Sequence, residues 1–73
     1  MIKLSKKWCD WLLSQPETGM DYQIVTIVLE DGHRFEQVVA AGGFLTSIRG
    51  LAAFPFQEDE IREIIVTHDK HLN

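Results

Sequence analysis

Apolar residues recur along the first fifteen positions at the spacing of a helix. Leu4, Trp8, Trp11 and Leu12 stand at i, i+4, i+7 and i+8 and so share one face. Ser5 precedes them as an N-cap, and Pro16 ends the pattern because the residue before a proline is driven out of the α region. A helix is therefore expected over about residues 5–14, with a loop through Glu17, Thr18, Gly19, Met20 and Asp21. The period then changes. Tyr22 through Leu29 and His33 through Ala41 are rich in β-branched residues and flank Asp31-Gly32, a pair that favours a two-residue type I′ hairpin. That turn sets Glu30 opposite His33, Val28 opposite Phe35, Thr26 opposite Gln37 and Ile24 opposite Val39 on one face. On the other face it sets Leu29 against Arg34, Ile27 against Glu36 and Val25 against Val38.

A sheet with one wet face alternates apolar and polar residues along each strand. Here the first strand of the hairpin is apolar on both faces, while the second carries charge on one of them. Something must cover the second face: the helix, closure into a barrel, or another copy of the chain. Gly42-Gly43 breaks the second strand, and Phe44 through Arg49 reads as a third. Gly50 through Phe56 is an apolar connector, fit to pack over an open end of the sheet. Gln57 through Glu60 is a polar turn, with one turn of 3₁₀-helix as a possible form, and it leads into Ile61 through His68. Within that run Ile64-Ile65-Val66-Thr67 is expected as the last strand. A helix over Glu58–Ile65 competes, because Glu58, Ile61, Arg62 and Ile65 also have helical spacing, but three β-branched residues in a row favour the strand. Asp69 through Asn73 reads as a frayed tail. The expected fold is α+β in a single domain, residues 1–73, with one N-terminal helix packed on an antiparallel meander of three to four strands. A small SH3-like or Sm-like barrel is the alternative.

Length sharpens the question of the second face. For 73 residues, burying about 4,500 Å² of apolar surface returns on the order of 110 kcal/mol. Ordering the chain at about 1.5 kcal/mol per residue costs nearly the same sum. Such a domain folds alone only marginally, and self-association would help it. Seven Lys and Arg against eleven Asp and Glu give a net charge of −4. Lys3, Lys6 and Lys7 leave the first fifteen residues positive and the remainder acidic. An acidic body repels a phosphate backbone, so generic nucleic-acid binding is disfavoured. One cysteine forms no intramolecular disulfide, and no apolar run approaches the ~18 residues of a membrane span. A cytoplasmic protein that does not engage membranes is the expectation.

Each residue with chemical potential has a plainer reading beside it. Cys9 is a nucleophile only if a distant histidine arrives as its base; otherwise it is a neutral helix cysteine. His68 and His71 with Asp69 resemble part of a metal site, yet a strand end and tail supply neither four ligands nor fixed geometry. Glu58, Asp59, Glu60 and Glu63 offer carboxylates, but acid–base work needs environments that separate their pKa values. Gly42-Gly43 lacks the spacing of a phosphate-binding loop. No catalytic, metal or cofactor site is expected, and no enzymatic activity. The aromatics are more informative. Trp8 and Trp11 join Tyr22, Phe35, Phe44, Phe54 and Phe56 in a chain with little room for them, and aromatics populate interface cores.

Two resemblances follow from these residues. Pro16-Glu17-Thr18-Gly19, Tyr22, Leu29-x-Asp31-Gly32-x-x-Phe35, Gly43, Arg49-Gly50, Pro55-Phe56, Asp59-x-Ile61 and Val66-Thr67-His68 resemble a pattern in a group of small bacterial proteins without a characterised activity. That resemblance implies a bacterial origin and no mechanism. Leu29-x-Asp31-Gly32-x-x-Phe35 and Ile48-Arg49-Gly50 are similar to motifs of Sm-like RNA-binding proteins, which also carry an N-terminal helix. The interval between the two motifs is shorter than an Sm-like barrel needs, and the family's base-contacting Asp-x-x-x-Asn is absent. That resemblance implies a small, strongly bent antiparallel sheet. The expected function is a non-enzymatic protein-interaction or self-associating module, partnered by a second copy or another protein through Trp11, Val25, Ile27, Leu29, Val38 and Arg49. The alternative is a small-barrel RNA binder using Lys3, Lys6, Lys7 and Arg49.

Overall fold

The computed structural model describes residues 1–15 and 21–67. One helix, α1 (Lys6–Leu13), accompanies five strands: β1 (Ile2–Lys3), β2 (Gln23–Leu29), β3 (Arg34–Ala41), β4 (Phe44–Ile48) and β5 (Ile61–Val66). All pair antiparallel in the order β1-β4-β3-β2-β5. The chain is thus an α+β domain whose meander β2-β3-β4 is extended on both sides into a curled half-barrel, compatible with the small SH3-like barrel. Glu58–Glu60 is a 3₁₀ turn and Ile61–Val66 a strand, which decides between helix and strand there. The sheet has five strands rather than three or four. The extra one, β1, is two residues long and too short to leave a pattern in the sequence.

Three irregularities curl the sheet. Val25 pairs with Val38 and Ile27 with Phe35, so Thr26 alone stands against both Glu36 and Gln37. Ala40 pairs with Leu45 and Val39 with Ser47, leaving Thr46 extra on β4. Leu29 pairs with Ile61 and Val28 with Glu63, leaving Arg62 extra on β5. Each is a β-bulge, an added residue that bends its strand and raises the local twist. Each also re-aims side chains. Strict alternation puts residues three apart on opposite faces, but a bulge between them returns both to one face. Val38, Leu45, Ile48, Ile61 and Ile64 all lie in the core, and Phe35 packs against it.

The hairpin register explains the difference from the sequence reading. The turn is a three-residue loop, Glu30-Asp31-Gly32, closed by Leu29 N–H to His33 O at 2.8 Å and Gly32 N–H to Leu29 O at 2.9 Å. Gly32 takes φ +94°, the left-handed conformation such loops require at their last position. Near the turn the pairing is therefore displaced by one residue from the expected register, to Ile27–Phe35 and Val28–Arg34. Beyond the bulge it returns to the expected Val25–Val38 and Ile24–Val39.

The helix closes the half-barrel. Leu4 N–H donates to Gly43 O at 2.9 Å beside the β1–β4 edge. From the other end of the helix, the Trp11 indole Nε1–H donates to Ile64 O at 3.1 Å on β5, the opposite edge strand. Leu4, Trp8 and Leu12 are buried between, in one cluster with Val25, Ile27 and Leu29 of β2. Within the connector, Phe56 lies tilted against Phe35 of β3 with ring centres 5.2 Å apart and meets Phe54 edge-on at 5.8 Å.

Gln37 bears the backbone cost of its bulge at φ +58° and is exposed. Gln37→Gly is expected to stabilise the domain by about 0.5–1 kcal/mol, the relief of a left-handed non-glycine residue less the glycine's chain entropy. A urea unfolding curve measures this, and a lowered midpoint would contradict the bulge.

Candidate functional site

The residues singled out from sequence divide into two groups. Val25, Ile27 and Val38 have no exposed surface and Leu29 is 6% exposed, all within the chain's own core. This corrects their placement at a partner contact. The face they form is covered by α1 and by the curl of the sheet, because the bulge on β3 brings Phe35 and Val38 to that same side. Trp11 and Arg49 are on the surface. Trp11 is 42% exposed, with its indole nitrogen committed to Ile64 and the rest of the ring partly open to solvent. Arg49 lies past the end of β4, where its backbone N–H donates to Gln37 O at 3.1 Å.

The polar candidates serve local structure. Glu60 Oε1 accepts from Gln57 N–H at 2.7 Å in a capping box, and Glu58 Oε2 accepts from Ser5 N–H at 3.2 Å at the start of α1. His33 sits in the hairpin loop, its Nδ1 at 2.8 Å from Asp31 Oδ2 and its backbone N–H at 3.0 Å from Oδ1. Lys6 pairs with Asp10 at 2.6 Å, and Lys7 Nζ lies 4.6 Å from the Trp8 ring centre. His68, Asp69 and His71 fall outside the described residues. Among the described residues no group of three His, Cys, Asp or Glu gathers with the geometry of a metal site, and no helix is long and apolar enough to cross a membrane.

The feature that sequence reasoning missed is a cleft of about 480 Å³. One wall is α1 with the turn before and after it, contributing Leu4, Cys9, Leu12 and Leu13. The other is the β3–β4 hairpin from Ala40 through Phe44, and the start of β2 closes the end with Asp21, Tyr22 and Gln23. Its volume is in the range of small-ligand and side-chain pockets. Gly43 of the hairpin stands beside the helix: a Cβ there would meet Cys9 Sγ at 3.5 Å, an ordinary contact, and it is the φ of +85° that favours glycine. Cys9 is half-buried, with its thiol 3.7 Å from Leu4 O, to which it donates. No histidine stands among the described lining residues. Gln23 is buried, and its side-chain amide donates to Leu12 O at 2.9 Å and Gln15 O at 3.3 Å. That amide holds the carbonyl end of α1 against β2, where last-turn carbonyls lack helix partners.

At the rim the cleft exposes apolar surface. Leu13 is 85% exposed and Tyr22 38%. The sequence signal for this site is weak, since its walls meet only through contacts between residues far apart in the chain. The one local sign is Leu13, an apolar residue off the buried stripe of α1. No family model, curated protein or solved structure matches this chain.

The Asp31 carboxylate has a displaced titration. The His33 backbone N–H, followed by the His33 ring, stabilises the ionised Asp31 carboxylate and holds its pKa below the usual 3.8. A folded pKa below the unfolded one means the loop contact contributes stability at pH above 3.8 and loses it as pH falls through the folded value. An NMR carboxyl titration is expected to give an Asp31 midpoint below 3.8, moved upward but not fully restored by His33→Ala, which keeps the backbone donor. A wild-type midpoint at or above 3.8 would contradict the contact.

Proposed function

We propose that this chain is a non-enzymatic interaction module, binding a second copy or another protein. The observation that carries the reading is the cleft between α1 and the β3–β4 hairpin, with exposed Leu13 and Tyr22 at its rim. Apolar groups left in water beside a concave apolar wall are what a partner side chain would cover. Gln23, the buried polar side chain of the lining, holds the helix end, so the cleft offers chiefly shape and apolar surface for binding. A marginal folding balance adds a reason for the domain to gain from association. The reading places the chain in the cytoplasm of a bacterium, supported by its lone cysteine and by the resemblance noted above.

A second reading, a small-barrel RNA binder, is favoured by one observation: β5 returns beside β2 to extend the meander into a curled sheet with an N-terminal helix. Its basic residues Lys3, Lys6, Lys7 and Arg49 are all exposed. The net charge of −4 weighs against it.

Leu13→Glu tests the first reading. The side chain is already in water, so unfolding should move by less than about 0.5 kcal/mol. If light scattering across a concentration series shows association in the wild type, the variant is expected to be monomeric. If the wild type is monomeric, an apolar fluorescent dye is expected to bind it and to be lost from the variant. A monomeric wild type that binds no dye, or a variant unchanged in both measurements, would overturn the reading.

A further inference from the structure

We infer that the cleft is built for a peptide segment in which a bulky apolar side chain neighbours a lysine or arginine. The inference rests on the interaction-module reading and names the chemistry of its partner. Leu12, Leu13 and Phe44 make the walls apolar, which selects an apolar anchor. Asp21 is the only charged side chain among the described lining residues, and no lysine or arginine stands with it. A partner therefore meets the Asp21 carboxylate at the edge of an apolar recess, on a body that is acidic from residue 16 onward. A cation beside the anchor would find that carboxylate, whereas an acidic neighbour would be repelled by it and by the surrounding field. Position supports the assignment. Asp21 is exposed and takes φ +66°, a conformation that aspartate and asparagine tolerate better than most residues. It immediately precedes Tyr22, so the carboxylate and the aromatic rim are carried on adjacent residues. An exposed acid beside an aromatic suits an amphipathic stem and its charged head, because a lysine or arginine lays its methylenes on apolar surface while its charge stays in water.

The test uses three capped tetrapeptides, Ala-Phe-Lys-Ala, Ala-Phe-Gln-Ala and Ala-Phe-Glu-Ala, titrated into the isotopically labelled full chain. Amide shifts at Ala41, Gly42 and Gly43 report the cleft. The lysine peptide is expected to bind about two- to fivefold more tightly than the glutamine peptide, the worth of one exposed ion pair, and the glutamate peptide most weakly. Asp21→Asn keeps the backbone preference of the site and is expected to remove most of the lysine peptide's advantage over the glutamine peptide, leaving the weaker bias of the acidic body. Equal affinities in the wild type, or a lysine preference undiminished by Asp21→Asn, would overturn the charge assignment while leaving an apolar interaction site in place. Absence of any shift at the cleft with all three peptides would overturn both. Concentration-dependent shifts at the same amides without peptide would make a second copy the occupant and overturn the choice of a foreign segment.

Discussion

The domain depends on three places where one strand has an extra residue. β3, β4 and β5 each carry two inward apolar residues separated by three positions: Phe35 and Val38, Leu45 and Ile48, Ile61 and Ile64. A regular strand would turn one member of each pair toward water. Burying a side chain of this size returns about 1.5–3 kcal/mol, against about 1–2 kcal/mol for holding Gln37 in the left-handed region. The bulge wins at β3. The bends that restore the pairs to one side also curl the sheet, so core composition and sheet curvature have a common cause. Curling brings the edges β1–β4 and β5 near enough for one eight-residue helix to reach between them.

That closure places the cleft. Leu4 is tied to Gly43 and Trp11 to Ile64, which fixes α1 across the opening of the half-barrel. Gln23 pins the carbonyl end of the helix to the start of β2. With the helix held at these points, Cys9 reaches Gly43 of the β3–β4 hairpin while Leu13 lies at the rim of the cleft left between helix and hairpin. The site is therefore a product of the closure, and the residues that position it are distinct from those at its rim.

Much of this architecture was legible in the sequence, for physical reasons that differ by element. The helix was readable from Leu4, Trp8 and Leu12, because one buried stripe on a short helix leaves a periodic trace. The far half of the hairpin, the break at Gly42-Gly43 and the polar turn at Glu58–Glu60 were readable from local chemistry. The near half of the hairpin was not, because Asp-Gly serves a three-residue loop as well as a two-residue one and the difference is a single residue of register. The helical spacing of Glu58, Ile61, Arg62 and Ile65 made a helix over Glu58–Ile65 compete with the strand. An unbroken register, which set Ile27 against Glu36 and Leu29 against Arg34, assigned Val25, Ile27, Leu29 and Val38 to a face awaiting a partner when they are core. A pair of large apolar residues three apart inside a β-rich run was the available sign of a bulge. The cleft had no comparable sign, since its walls are joined only by tertiary contacts.

The bulge on β3 is the feature on which the remainder stands, and cross-strand nuclear Overhauser contacts measure it directly. The account predicts backbone contacts pairing Ile27 with Phe35 and Val25 with Val38, with Thr26 near both Glu36 and Gln37. An unbroken ladder pairing Val28 with Phe35 and Thr26 with Gln37 would contradict it. In that register Phe35 and Val38 would lie on opposite faces, and the core, the curl and the cleft described here would not form.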